Sequence, residues 1–322
     1  MRPATDTAAA PMNVVPLDVL ALGEPLLEFN RRRGSEGGAY TPGFGGDTSN
    51  AAVAAVRQGA AVGYVTRVGA DRFGERFLAL WRSEGIDVRH VVSDGDAPTG
   101  IYFVSHDEGG HHFSYYRAGS AASRLRPGDV PRQAIADARV LHVSGISQAI
   151  STSACDAVFE AMAIARAAGT LVSYDPNVRP TLWPAARARA VVMASVAQAD
   201  LCLPSLEDAE LLFGERTPDA HVDALLEAGA GLVALKLGPD GALVATAEER
   251  HLVGGFRVDS VDATGAGDTF DGSFLAERLR GVGLAEAARY ANAAAALATR
   301  GYGAVDPIPR RADVERFLAS AP

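Results

Sequence analysis

The 322-residue chain has two cysteines, Cys155 and Cys202, and one lysine, Lys236, although Lys and Arg together number 30. The cysteines lie far apart in apolar surroundings and show no metal-ligand spacing, so both read as small core residues. No apolar run is long enough to cross a bilayer. The opening "MRPATDTAAAPMNVVP" has no apolar signal core and reads as a disordered leader over residues 1–16, with Met12 as an alternative start. A net charge of -9 argues against a nucleic-acid partner. These absences together point to a cytoplasmic protein that works on neither nucleic acid nor membrane.

What is present is a regular alternation. "DVLALG" (18–23), "AVGYVT" (61–66), "VLHVSG" (140–145), "LVSYDP" (171–176), "LCLPS" (201–205) and "LVALKLG" (232–238) are apolar runs of strand length. Runs with helical spacing separate them, several ending in Gly. Apolar runs without polar alternation suit strands covered on both faces. The expectation is an α/β fold: a mostly parallel sheet with helices on both faces. Residues 24–45 and 96–118 break the period and are rich in Gly and aromatics. They are expected to form a small β-sheet lid on a single domain spanning 17–322, and the lid is also where a second subunit could meet it.

Two segments carry chemistry. In "VDATGAGDTFDGSF" (261–274), Gly265 and Gly267 allow a tight turn that exposes backbone amides at the start of a helix, which is an anion site. The spacing is neither the dinucleotide fingerprint nor a Walker A loop, since no lysine follows. Asp268 at this anion site has two readings: a helix cap, or a base that takes the proton of an attacking hydroxyl. In "PGFGGDTSNAAVAAVRQGA" (42–60), Gly46, Asp47 and Asn50 precede a second helix of small residues.

Together, "GGDTSNAAVAAVRQGAAVGYVTRVGADRFG" and "DATGAGDTFDGSF" resemble the two signatures of the ribokinase-like (PfkB) carbohydrate kinases, in the family's order and at the expected ends of the chain. The resemblance runs from about Val19 to Arg311. It implies a ribokinase-like fold, ATP and Mg2+ as cofactors, Asp268 as the general base, and the amides of Gly265, Ala266, Gly267 and Asp268 as the anion hole. Asp262 would then lie near metal and phosphates or cap the loop. Asn177, Ser205, Lys236, Gly238, Gly241 and Asn292 would line the nucleotide, although a purely structural role for Lys236 stays open. The family's Asn-x-x-Glu motif for organising magnesium falls on Ser205 and Asp208. This is a departure that leaves Asp208 to act through water. Glu207 and Glu210 read as helix-surface acids, and His111 and His112 as a solvated turn.

Within the family, "SYYRAGSAAS", "HVSGISQAIS" and "YDPNVRPTLWP" resemble 2-keto-3-deoxygluconate kinases. That resemblance places Gly46, Asp47, Asn50, Tyr102, Tyr116, Arg117, Ile146 and Arg179 around a small-molecule sugar acid, with Tyr115 packing in the β-layer. Arg suits a carboxylate because its planar fork donates two parallel hydrogen bonds. Arg179 has a second reading, as a contact to nucleotide phosphate or a pin for its loop. Tyr302 stands where some of these kinases carry Asp. Alternatives are a kinase for a neutral sugar such as fructose or ribose, a non-catalytic sensor, which the intact "GAGD" argues against, and an oxidoreductase, which the missing dinucleotide spacing disfavours.

Overall fold

The computed structural model describes residues 16–31, 39–107 and 110–320, so residues 1–15 of the expected leader, 32–38 of the first lid stretch and 108–109 of the second lie outside the described residues. The first elements are β1 (Val19–Leu22), β2 (Leu26–Asn30), β3 (Thr41–Gly45), α1 (Asp47–Arg57), β4 (Val62–Gly69), α2 (Arg72–Glu84), β5 (Asp87–Asp94), β6 (Ile101–Asp107) and β7 (Gly110–Tyr116). Then come α3 (Arg132–Asp137), β8 (Val140–Ser144), α4 (Gly145–Ala149), α5 (Thr152–Ala168), β9 (Leu171–Asp175), α6 (Ala185–Val196), β10 (Leu201–Cys202), α7 (Leu206–Phe213) and α8 (Pro218–Glu227). The chain closes with β11 (Leu232–Lys236), β12 (Gly241–Ala245), β13 (Arg250–Gly254), α9 (Ala266–Leu279), α10 (Leu284–Ala298) and α11 (Arg311–Ser320).

Among the described residues, nine strands form one sheet in the order β13-β12-β11-β10-β9-β8-β1-β4-β5. Strands from β5 through β11 run parallel, and β12 and β13 add an antiparallel edge. This is the expected mostly parallel sheet. β1 shows why its sequence is apolar throughout. Leu20 and Leu22 join the core on one face with Leu141 and Val158, while Val19 and Ala21 join Val53, Phe77 and Trp81 on the other. Strand side chains alternate between faces, and helices cover both.

α2 shows how local sequence fixes an element. Its N-cap, Asp71, accepts from the amides of Phe73 and Gly74, and Gly85 closes the helix in the left-handed conformation. Between these caps Phe77 and Trp81 are wholly buried, and Trp81 Nε1 donates to Ser49 Oγ at 3.0 Å. Burying a side chain such as Phe77 contributes about 1.5–3 kcal/mol. Asp71 also accepts from the Thr99 amide at 2.8 Å, which ties this helix start to the segment leading into β6.

The two aperiodic stretches form a separate four-stranded sheet, β3-β2-β6-β7, parallel between β2 and β6 and antiparallel elsewhere. Phe29 stacks on Phe103 within it, with ring centroids 5.1 Å apart. No helix among the described residues is long and apolar enough to cross a membrane.

Candidate active site

The two glycine-rich segments meet through their helices. Asn50, in the first turns of α1, donates from Nδ2 to Asp268 Oδ2 at 2.7 Å. Gly265, left-handed at φ 77, is the N-cap of α9, and no side chain caps this helix. Asp268 lies in its first turn, and its carboxylate engages Asn50 instead of the helix end. Gly265, Gly267 and Asp268 all line a cleft of about 1340 Å³ that separates the small sheet from the parallel-strand ends of the large one. An uncapped helix start facing a cleft is suited to an anion.

Burial pushes the Asp268 carboxyl up to about 7, the neighbouring Asp47 and Asp175 adding to it while the Asn50 hydrogen bond and Lys236 pull the other way. A general base at this position would work only when deprotonated, so the raised value would set an acid limb. kcat/KM should fall about tenfold per pH unit below a midpoint near 7. Asp47→Asn removes a charge that raises this value, so the limb should move to lower pH. A pH–rate profile of both proteins checks the position and the direction.

The sheet side of the cleft is made where β9 ends. Asp47 Oδ2 accepts from Asn177 Nδ2 at 3.2 Å, and Asn177 holds a left-handed φ of 36, unusual for a non-glycine residue. Gly46, Ile146 and Arg179 line the same cleft. Arg179 is exposed, and its guanidinium donates to its neighbour's Val178 carbonyl at 3.0 Å.

The small sheet requires two corrections. Tyr102, Phe113, Tyr115 and Arg117 line the cleft, whereas Tyr116 does not. Tyr116 is 66% exposed and packs its ring edge-on to Phe103. Tyr115 and Tyr116 are successive residues of β7 and point to opposite faces, so Tyr115 lines the cleft in place of the expected Tyr116. Arg117 is only 9% exposed, and its Nη2 is already paired with the buried carboxylate of Glu24. Burial pushes Glu24 up, and Arg117 opposes that shift. The Arg117 Nε is buried without a partner. This guanidinium is therefore not the free fork that the sequence suggested. Nor is His112 merely a turn residue, because it lines the cleft from β7.

Lys236 takes a structural place. Its Nζ lies 2.9 Å from both oxygens of the Asp271 carboxylate and 3.5 Å from Asp175 Oδ1. Although burial opposes it, the pull of Asp175 and Asp271 holds the ammonium well above the ordinary lysine value. Asp175, buried and near other carboxylates, is pushed up to about 6. Lys236 also lines the cleft beside Gly267.

Ser205 is the N-cap of α7 and accepts from the Asp208 amide, while Asp208 Oδ2 accepts from the Ser205 amide (2.9 Å) and hydroxyl (2.7 Å). Asp208 Oδ1 accepts from Val178 N at 2.6 Å. The departure from Asn-x-x-Glu has thus become a capping box. Glu207 and Glu210, expected as surface acids, both line the cleft. Among the described residues no cluster of three or more metal-ligating side chains closes into a cage. Asp175 Oδ1 is buried with no hydrogen bond, only the Lys236 ammonium at 3.5 Å, and the Asp208 and Asp47 carboxylates near it offer hard oxygen ligands. That set fits magnesium, which keeps several waters and takes much of its shell from phosphate.

A second pocket of about 400 Å³ adjoins the cleft, with Lys236, Gly238, Pro239, Ala263 and Gly267 shared between them. Gly241, Phe256, Ala295 and Ala296 make it largely apolar. Asn292, on its wall, donates to the carbonyls of Val253 and Gly254 at 3.2 Å each. Asp262, for which two places were open, caps the loop. Its Oδ1 accepts from Thr264 N (3.0 Å) and Oγ1 (2.6 Å), and its Oδ2 from Gly303 N (3.0 Å).

A carboxylate raised toward neutrality at an anion-binding helix start, between a polar cleft and an apolar side pocket on a ribokinase-like fold, describes an ATP-dependent sugar kinase. The chain belongs to the pfkB family of carbohydrate kinases, whose model matches residues 18–311. It is 36% identical over 311 residues to a 2-dehydro-3-deoxygluconokinase of Bacillus subtilis (strain 168), covering 94% of this chain and 96% of the relative. It is 33% identical over 320 residues to a probable fructokinase-2 of Arabidopsis thaliana, covering 93% and 95%. The crystal structure of a fructokinase from Vibrio cholerae O395, bound to fructose, ADP and calcium, superposes with a TM-score of 0.85 at 29% identity, covering 94% of this chain and 100% of that one.

Proposed function

We propose that this kinase transfers the γ-phosphoryl group of ATP to a hydroxyl of a sugar acid, 2-keto-3-deoxygluconate, giving its 6-phosphate. The observation that carries the reading is Arg179: an exposed guanidinium on the cleft, with no carboxylate partner among the described residues. The guanidinium of Arg117 and the ammonium of Lys236 also face the cleft but are already paired with buried carboxylates, and Asp47 and Asp208 would repel a carboxylate, so Arg179 is the place for the acidic end. The higher identity to the 2-dehydro-3-deoxygluconokinase than to the fructokinase supports the same choice.

In this reading Asp268 takes the hydroxyl proton as the oxygen attacks phosphorus, the bond from the γ-phosphorus to the bridging oxygen breaks, and ADP leaves. The amides of Gly265, Gly267 and Asp268 receive the charge on the transferred group, whereas that of Ala266, also expected there, donates to the Ala263 carbonyl at 3.2 Å. The apolar side pocket, with Gly238, Gly241 and Asn292 on its walls, takes the flat base of the nucleotide. Asp175 and Asp208 would hold magnesium directly or through water, and the ion neutralises phosphate charge when bound. The small sheet acts as a lid: Tyr102 and Tyr115 cover the sugar and keep out water as a competing acceptor.

A coupled assay across 2-keto-3-deoxygluconate, fructose and ribose tests the substrate. Arg179→Ala should raise KM for the acid by about tenfold to a hundredfold, the loss of one charged hydrogen bond, and leave fructose nearly unchanged. Arg117→Ala should weaken both sugars, because it strands the buried Glu24 carboxyl. A wild type that prefers fructose, or an Arg179→Ala variant that weakens both sugars equally, would replace this reading with a neutral-sugar kinase.

A further inference from the structure

We propose that Glu28 is a positioning residue that couples the sugar side of the cleft to the anion loop through a buried relay, Tyr102–Glu28–Asn30–Asp262. Glu28 sits in the middle of β2, is buried, and is not among the residues lining the cleft. Tyr102, which does line it, donates its hydroxyl to Glu28 Oε2. Asn30 Nδ2 donates to Glu28 Oε1 at 3.4 Å and to Asp262 Oδ2 at 3.1 Å. Asp262 in turn holds Thr264, the residue before the N-cap of α9, by its amide and hydroxyl. A continuous line of hydrogen bonds therefore joins a ring over the sugar to the turn that presents the anion-binding amides.

The surroundings are shaped for this line. A β-carbon on Gly45 would lie 2.5 Å from the Tyr102 hydroxyl, and one on Gly303 would lie 2.9 Å from Glu28 Oε1. The glycines of "PGFGG" and "RGYG" thus clear room for buried polar atoms, a role that neither chemical motif explains. An apolar side chain at position 28 would avoid the desolvation of a buried carboxyl. The carboxyl gives directed bonds in return, which fix the Tyr102 ring and the 262–264 turn relative to each other. Asp262 is suited to the far end: burial alone would raise it, but hydrogen bonds from Thr264, Gly303 and Asn30 hold it below the ordinary range, so it stays an acceptor. Burial pushes Glu28 up to about 7, with the Tyr102 bond opposing and Asp262 adding. Gln is therefore its close isosteric mimic, with Oε1 toward Asn30 and Nε2 toward the Tyr102 oxygen.

The inference rests on the sugar-kinase assignment but not on the identity of the sugar. The test is calorimetric. The sugar is whichever of 2-keto-3-deoxygluconate and fructose binds wild type better. Its Kd is measured with and without saturating adenylyl imidodiphosphate and magnesium. Wild type should bind sugar at least about fivefold tighter with nucleotide present, the lower end of ordinary coupling between sites. Glu28→Gln should keep most of that ratio. Glu28→Leu and Asn30→Leu, both at positions outside the cleft lining, should bring it below about twofold while each ligand alone still binds. A wild-type ratio of one overturns the relay. So does a Leu variant that loses only thermal stability and keeps the ratio, or a Gln variant that loses the ratio as fully as Leu. If Glu28→Leu does not fold, Asn30→Leu decides alone, because the relay fails if that variant keeps the wild-type ratio.

Discussion

Asp268→Asn should lower kcat by at least about a hundredfold, the lower end for a general base, while sugar and nucleotide still bind. The substitution is nearly isosteric, and Asn50 can turn its amide to donate or accept, so the contact between α1 and α9 survives. What is lost is the proton acceptor. The alternative reading of Asp268 as a helix cap predicts a loss of stability with turnover intact. The geometry does not support it, since α9 has no side-chain cap and the Asp268 carboxylate faces Asn50. Single-turnover kinetics with titrations of both ligands separate the cases. Near-normal turnover in Asp268→Asn would remove the base and with it the proton step proposed here.

Lys236→Met should cost about 3–5 kcal/mol of folding stability, the usual result of removing one partner from a buried ion pair. Lys236 stands between Asp271 and Asp175, and both carboxylates are buried. Without the ammonium they can avoid facing each other as charges only by taking up protons. Each then has a folded-state pKa above its unfolded value, so stability is retained at low pH and lost as pH rises through that raised range. Asp175, already at about 6 beside the lysine, would move further up. The deficit against wild type should therefore be larger at pH 8 than at pH 5. Thermal melts at the two pH values check the sign, and an equal deficit at both would show that Lys236 acts through packing alone.

The sequence made the sheet legible because its strands are buried on both faces and read as unbroken apolar runs. β5, at the edge beyond β4, was not read as a strand. Its "DVRHVVSD" is half-exposed along much of its length, so polar residues interrupt the signal. α10, largely alanine, offers little contrast between faces, although its helix is well buried. In the site, Asp268 and the glycine turn were readable because their spacing is local, whereas Asn50, 218 residues away, came only through the family resemblance. Glu24 and Arg117 were not readable as a pair. They lie 93 residues apart, and only the folded small sheet reveals that one charge already answers the other. The Tyr115 and Tyr116 exchange has a different origin: one residue of register decides the face, and nothing in "SYYR" fixes that register. The relay through Glu28 was equally hidden, because Asn30 and Asp262 are 232 positions apart.

Gly272 lies one turn past the base on α9, with its missing side chain directed at the backbone of α1. A β-carbon there would come within 2.1 Å of the Ala51 carbonyl oxygen. The two helices are therefore separated by no side chain at the point nearest the chemistry. The spacing of the two helix backbones beside Asn50 and Asp268 is set by this close approach, so only the two side chains' own rotamers adjust their contact. A side chain at position 272 would push α1 and α9 apart and lengthen the Asn50–Asp268 contact.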